Sequence, residues 1–189
     1  LARADHVVPP AFAAGDGLAV LVGVQAGHVV AGVQGVAIDP EFDSNRYIYL
    51  YSSSRGENRT YGGYNNIVMR MKVGDSLSSV SDIVEIINDI GYKPAKSNHP
   101  FGGPGAHNGG RLRFNPGDGF LYVTTGDNHN GEGPQSPTQI RGKVLRVDRD
   151  GKAAPGNNPP AGFDKRIFQR RFLQTVARAL TAQKAPPRL

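Results

Sequence analysis

The sequence predicts an all-β protein of the β-propeller type. Three observations carry this. Glycine occurs 25 times and proline 14 times in 189 residues, and both punctuate turns, which favours many short strands over long helices. Several runs are β-branched and aromatic with period-two alternation. Two stretches, GVAIDPEFDSNRYIYLYSS from residue 35 and GRLRFNPGDGFLYVTTG from residue 110, share one plan. Each is a strand closed by Asp-Pro or Asn-Pro, then a short turn, then a strand with an aromatic pair or neighbour. A repeating unit of several antiparallel strands is the mark of propeller blades. The proline fits because it cannot donate to a strand ladder.

The elements follow in order. Residues 18–30, LAVLVGVQAGHVV, read as a hairpin turning at QAG. A run at 34–42 precedes a strong strand signal at 46–54, RYIYLYSSS, and 55–65 reads as a loop. In NIVMRMKV (66–73), Ile67, Met69 and Met71 fall on one face and Val68, Arg70 and Lys72 on the other. DIVEIIND (82–89) fits a strand or a short helix. A long loop spans 91–109, a length that in compact domains points to function or disorder. Strands are then expected at 110–116, 120–127 and 142–151, with a loop at 128–141 between the last two. The segment after residue 168 breaks the pattern. Phe168, Phe172, Val176 and Leu180 recur every fourth residue, with Arg170, Arg171 and Arg178 off that stripe. The expected division is a partial propeller over 1–168 and a basic, helix-like tail over 169–189. The tail reads as docked by its apolar stripe or as binding a membrane or partner.

Composition narrows the function classes. No run of eighteen apolar residues occurs, so no membrane-spanning helix is expected. The absence of cysteine removes disulfides, cysteine-ligated zinc and thiol nucleophiles. The net charge of +6 is uneven, with seven of the 22 Lys and Arg in residues 165–189. No basic stripe is interleaved with aromatics, and no nucleic-acid partner is expected. The chain begins at Leu1 and reads as starting part-way into its gene product. The sequon Asn58-Arg59-Thr60 matters only in a eukaryotic secretory pathway.

Two places could carry chemistry. His107 lies in GAHNGGRLRF, between glycines that let another backbone approach closely. A neutral imidazole there suits proton abstraction near neutral pH, and an incidental surface imidazole is the bland alternative. Asn108 could orient that ring, bind a hydroxyl or simply hold a turn. In TGDNHNGEG (125–133), Asp127, Asn128, His129, Asn130 and Glu132 form an oxygen-rich loop. It could hold a hard cation or be a strand-exit turn capped by Asp127. DRDG (148–151) reads as a hairpin turn, and FGGPG (101–105) lacks the context and lysine of a phosphate loop.

Taken in order, GVQGVAIDPEFDSNRYIYLYSS, GAHNGGRLRFNPGDGFLYVTTGDNHNG and SPTQIRGKVLRVDRDGKAAPGNNP resemble the soluble pyrroloquinoline quinone (PQQ)-dependent aldose dehydrogenases, the glucose/sorbosone dehydrogenase family. The resemblance covers about residues 32–168 and implies two to three blades of a six-bladed propeller. It implies oxidation of an aldose at its anomeric carbon, with hydride passing to PQQ. His107 matches the family base, Asn108 its neighbour, and Asp127 an acidic position near the cofactor. It also implies a calcium ion held against the quinone by later blades, an external electron acceptor and a periplasmic or secreted location. Self-association through open propeller edges is a further expectation. The chain departs from the family pattern at Val30, where a polar residue is usual although Gln34 lies close by. Ala106 replaces an aspartate that some members carry. Leu173 falls about where a quinone-binding arginine belongs, with Arg170 and Arg171 nearby. A noncatalytic binding module or inactive fragment built on the same blades is the alternative reading.

Overall fold

A computed structural model describes residues 29–93, 103 and 105–169. These form two four-stranded antiparallel sheets, each a simple meander, as propeller blades are. The first contains β1 (Val29–Ile38), β2 (Tyr47–Arg55), β3 (Tyr64–Val73) and β4 (Val80–Ile90) in that order, with α1 (Phe42–Asn45) in the first turn. The second contains β5 (Gly109–Phe114), β6 (Leu121–Thr125), β7 (Val144–Val147) and β8 (Ile167–Gln169). Two blades thus lie within the described residues. The expected hairpin at 18–30 falls outside them except for its last residues, which belong to β1. The tail beyond Gln169 also falls outside, and Gln169 itself closes β8.

The repeat seen in the sequence is a repeat in space. β1 and β5 open their blades, and Asp39 and Asn115 each close the opening strand with the same Asx turn. The Asp39 carboxylate accepts the Glu41 N–H at 2.9 Å, and the Asn115 amide oxygen accepts the Gly117 N–H at 3.0 Å. These side chains mimic a backbone turn and fix the entry into the next strand. The equivalent tyrosines also do equivalent work. Tyr49 donates to Asp39 and Tyr122 to Asp118, each on a carboxylate that also takes an arginine.

β2 is buried on both faces, which its sequence YIYLY allows. Ile48 and Leu50 join Ile67, Met69, Met71 and Val73 of β3 in one apolar cluster. Tyr49, Tyr51 and Val68 face the other way. With Ile87, Ile90, Leu112, Leu121, Val123, Leu145 and Val147 they make the core between the blades. The two faces of β3 are therefore those the alternation predicts. Each fully buried Ile or Leu contributes about 1.5–3 kcal/mol relative to exposure. The 82–89 segment is a strand and not a helix. Register shifts between β3 and β4 break its alternation, which is why its periodicity reads ambiguously.

Polar clasps join the blades beside this core. Arg149, in the turn after β7, binds Asp39 through two hydrogen bonds of 2.9 and 3.0 Å. Arg70 pairs with Asp150, and Arg166 with Asp89. DRDG is indeed a turn, where Asp148 accepts the N–H groups of Asp150 and Lys152. On the opening edge, Val33, Val36 and Ile38 remain more than half exposed.

Candidate active site

The site lies at the seam where the loop before β5 meets the loop after β6. His107, Asn128 and His129 all hold left-handed backbone conformations, with φ of 54°, 54° and 55°. Non-glycine residues enter this region at a cost, and Asn and His are among those that do so most readily. The two loops are locked by backbone bonds. Gly126 N–H donates to Asn108 O at 2.9 Å, and Asn128 N–H to His107 O at 3.2 Å. An ideal Cβ on Gly126 would lie 1.5 Å from His107 O, so only glycine lets the strands approach this closely. Gly110 meets the same requirement from the other side, since a Cβ there would lie 2.5 Å from Gln34 Cβ.

This packing brings together His107 and Asp127, two of the residues singled out in the sequence. His107 Nδ1 lies 2.9 Å from Asp127 Oδ1, and its side chain is 56% exposed. A carboxylate on Nδ1 stabilises the tautomer with the proton on that nitrogen and leaves the Nε2 lone pair free to accept one. Burial by itself would push the Asp127 carboxyl up. The hydrogen bonds from the His107 ring and the His129 N–H, with the charge of the two imidazoles, outweigh it and hold Asp127 below its ordinary value. Asp127 is thereby kept as an anion.

Asn108 turns inward, away from His107's ring. Its amide oxygen accepts from Asn66 Nδ2 at 2.9 Å and Asn128 Nδ2 at 3.2 Å, and its Nδ2 donates to Ser53 Oγ at 3.2 Å. Ser53 donates to Asn66 Oδ1 and accepts from Gln34 Nε2. Asn128 Nδ2 also donates to His107 O. A chain of amides and one hydroxyl therefore runs from β1 through β2 and β3 into both loops, fixing the backbone that carries the imidazole. The Tyr51 hydroxyl completes it by donating to Asn108 O at 2.7 Å. Burial pushes this phenol up, so it stays protonated and remains a donor. Tyr51→Phe should lower stability by about 1 kcal/mol, since Asn108 O keeps its bond from Gly126. A denaturant melt with an unchanged midpoint would contradict this.

The reading of the sequence missed Ser53 and Asn66. The available signal was their polarity inside otherwise apolar central strands. Both are essentially inaccessible to solvent. The oxygen-rich loop is used as turn caps. Asp127 accepts the His129 N–H, and Asn130 Oδ1 accepts the N–H groups of Glu132 and Gly133. Among the described residues no group of three or more His, Asp or Glu is arranged to hold a metal. Lys143 is buried and directed at three carbonyls, those of Gly133, Pro134 and Arg141.

Two four-stranded antiparallel blades, the second carrying an imidazole paired with a carboxylate on its loops, define a protein of the β-propeller class. The family described as Glucose / Sorbosone dehydrogenase matches residues 16–169. This chain belongs to that family. It is 31% identical over 135 residues to the aldose sugar dehydrogenase YliI of Escherichia coli K12, covering 70% of this chain and 32% of that protein. Among solved structures, it is similar to a putative oxidoreductase (glucose dehydrogenase) from Thermus thermophilus. There the identity is 33% and the TM-score 0.56, over 72% of this chain and 37% of the other. The PQQ-bound aldose sugar dehydrogenase of Streptomyces coelicolor matches at 27% identity and TM-score 0.53, over 81% of this chain and 36% of the other. The apo form of the soluble E. coli enzyme matches at 25% and 0.58, over 81% and 41%. The chain thus spans about a third of the length of the E. coli aldose sugar dehydrogenase.

Proposed function

We propose that this chain carries the proton-accepting part of a PQQ-dependent aldose dehydrogenase site, with His107 as general base. The observation that carries the reading is the 2.9 Å pairing of His107 Nδ1 with Asp127. It presents Nε2 as an acceptor on an exposed ring. In this reading Nε2 takes the proton of the sugar C1 hydroxyl as the carbonyl forms at C1, and Asp127 stabilises the imidazolium that results. The quinone, when bound, supplies the acceptor for the C1 hydride. Asn108 and Asn128 keep the base in place from beneath. Family membership and a PQQ-bound relative support the assignment.

The described residues fit one part of such a cofactor. They supply a base and close-packed glycines, but Lys143 is spent on carbonyls, and Arg141 is buried with its guanidinium over the Tyr61 ring. Lys143 is therefore committed within its own loop. An external electron acceptor and a periplasmic or secreted location belong to the same proposal. No described helix is long and apolar enough to cross a membrane. The exposed Val33, Val36 and Ile38 support packing of β1 against further blades or a second copy.

The test is titration with PQQ and calcium followed by quinone absorbance, then addition of an aldose and a dye. His107→Asn is the variant of choice, because asparagine tolerates the left-handed backbone. It should reduce dye turnover by roughly 10²- to 10⁴-fold. Turnover that survives this substitution would remove His107 from the reaction. Failure of the wild-type chain to bind micromolar quinone would favour the noncatalytic binding module.

A further inference from the structure

We infer that His129 is a positioning residue for His107, acting through a stacked imidazole pair on one shared carboxylate. This rests on the reading of His107 as the base, but its geometry stands independently. The two rings lie 3.7 Å apart between centroids and 23° from parallel. The His129 backbone N–H donates to Asp127 Oδ1 at 3.1 Å, the same oxygen that faces His107 Nδ1 at 2.9 Å. One residue therefore holds both partners of the pair. Its ring covers a face of the His107 imidazole and its main chain aims the carboxylate.

The arrangement meets a physical need. His107 is exposed, and its χ2 torsion joins tetrahedral to planar carbon, which leaves a broad, shallow energy profile. A single hydrogen bond to Asp127 cannot by itself hold the ring plane. A flat neighbour at van der Waals distance removes that freedom, because rotation about χ2 would drive the ring edge into His129. The left-handed φ of 55° at His129 places its side chain back over the loop before β5. Packing of the ring face supplies the orientation.

The test reads ring state directly. Imidazole nitrogen resonances of the ¹⁵N-histidine-labelled full chain report which nitrogen of His107 carries the proton. The wild type should show a strong excess of the Nδ1–H form. His129→Asn keeps a residue that tolerates the left-handed backbone and removes the ring, whereas His129→Phe keeps a ring and removes the nitrogens. The expected result is that Asn reduces the Nδ1–H excess severalfold and Phe restores it. If both variants keep the wild-type signature, or if both lose it, the proposal is overturned. In an active holoenzyme the same pair should separate in kcat, with Asn slower than Phe by about tenfold, since misorientation of a catalytic group costs rate. The resonance measurement needs neither quinone nor sugar, so its failure and a failure of the dehydrogenase reading are distinguishable.

Discussion

Gly126→Ala is expected to dismantle the site while leaving the first blade folded. The new methyl would have to occupy the position of His107 O, 1.5 Å away, with the Asn108 carbonyl carbon only 2.7 Å off. Both contacts are with backbone, so no side-chain rotation relieves them. The loop before β5 must move off the end of β6. That breaks the bonds from Gly126 N–H to Asn108 O and from Asn128 N–H to His107 O. The Asp127 carboxylate then no longer faces His107 Nδ1. The loss of stability should be roughly 3 kcal/mol, at the upper end for overpacking. Hydrogen exchange should rise around β5 and β6 and stay near wild type in β2 and β3. A denaturation midpoint within error of wild type would show that the close approach is not required.

The second large effect is expected at Asp39. Its carboxylate is fully buried, accepts two hydrogen bonds from Arg149 in the other blade, and also takes the Tyr49 hydroxyl and the Glu41 N–H. Asp39→Ala leaves the buried Tyr49 hydroxyl without its acceptor and severs the clasp between blades. Arg149 keeps Glu41 as a partner, so the cost is set mainly by the Tyr49 hydroxyl left without its acceptor and should be about 1–3 kcal/mol. Burial alone would raise this carboxyl. The hydrogen bonds from Arg149, Glu41, Asn45 and Tyr49 together outweigh burial and hold it below its ordinary value. The sign of the pH effect follows. A carboxyl depressed in the folded state gives stabilisation that is complete above its unfolded pKa of about 4 and disappears as pH falls through the lower folded value. The wild type should therefore lose stability below about pH 4, and the Ala variant should show a flatter acid limb. Urea midpoints measured against pH would check both; parallel acid limbs would contradict the assignment.

The sequence made some of this legible because the information was local. Asx turns, prolines and a tyrosine near the start of the next strand sit within about twenty residues of one another, so the blade repeat could be read directly. The faces of β3 followed from strict alternation at Ile67, Met69 and Met71. The pairing of His107 with Asp127 could not be read from spacing, since the two lie on different loops and meet only when β5 pairs with β6. Resemblance pointed to both residues; the fold supplies the reason they meet. Ser53 and Asn66 were invisible for a related cause. Their function is to satisfy Asn108 across the seam, and the register between two blades is a tertiary property. The 82–89 run was ambiguous because register shifts disrupt the period that would have identified it. The oxygen-rich loop allowed either a cation or a turn capped by Asp127, and Asp127 and Asn130 do accept N–H groups of that turn.

The glycines at the seam have a consequence for the curvature of the whole molecule. A Cβ on Gly35 of β1 would lie 1.9 Å from Gly110 O of β5, and one on Gly151 would lie 2.0 Å from Ile86 O of β4. The blades therefore touch main chain to main chain at two separated points, one on the opening strands and one at the last strand of the first blade. Two fixed points of contact set the dihedral between the sheets as hinge pins set the angle of a folding screen. Apolar side chains between the pins can repack around a mutation. The pins cannot, because they have no rotamers. The angular step from one blade to the next is thus written in missing side chains, and a single methyl at either pin would open the wedge and change that step.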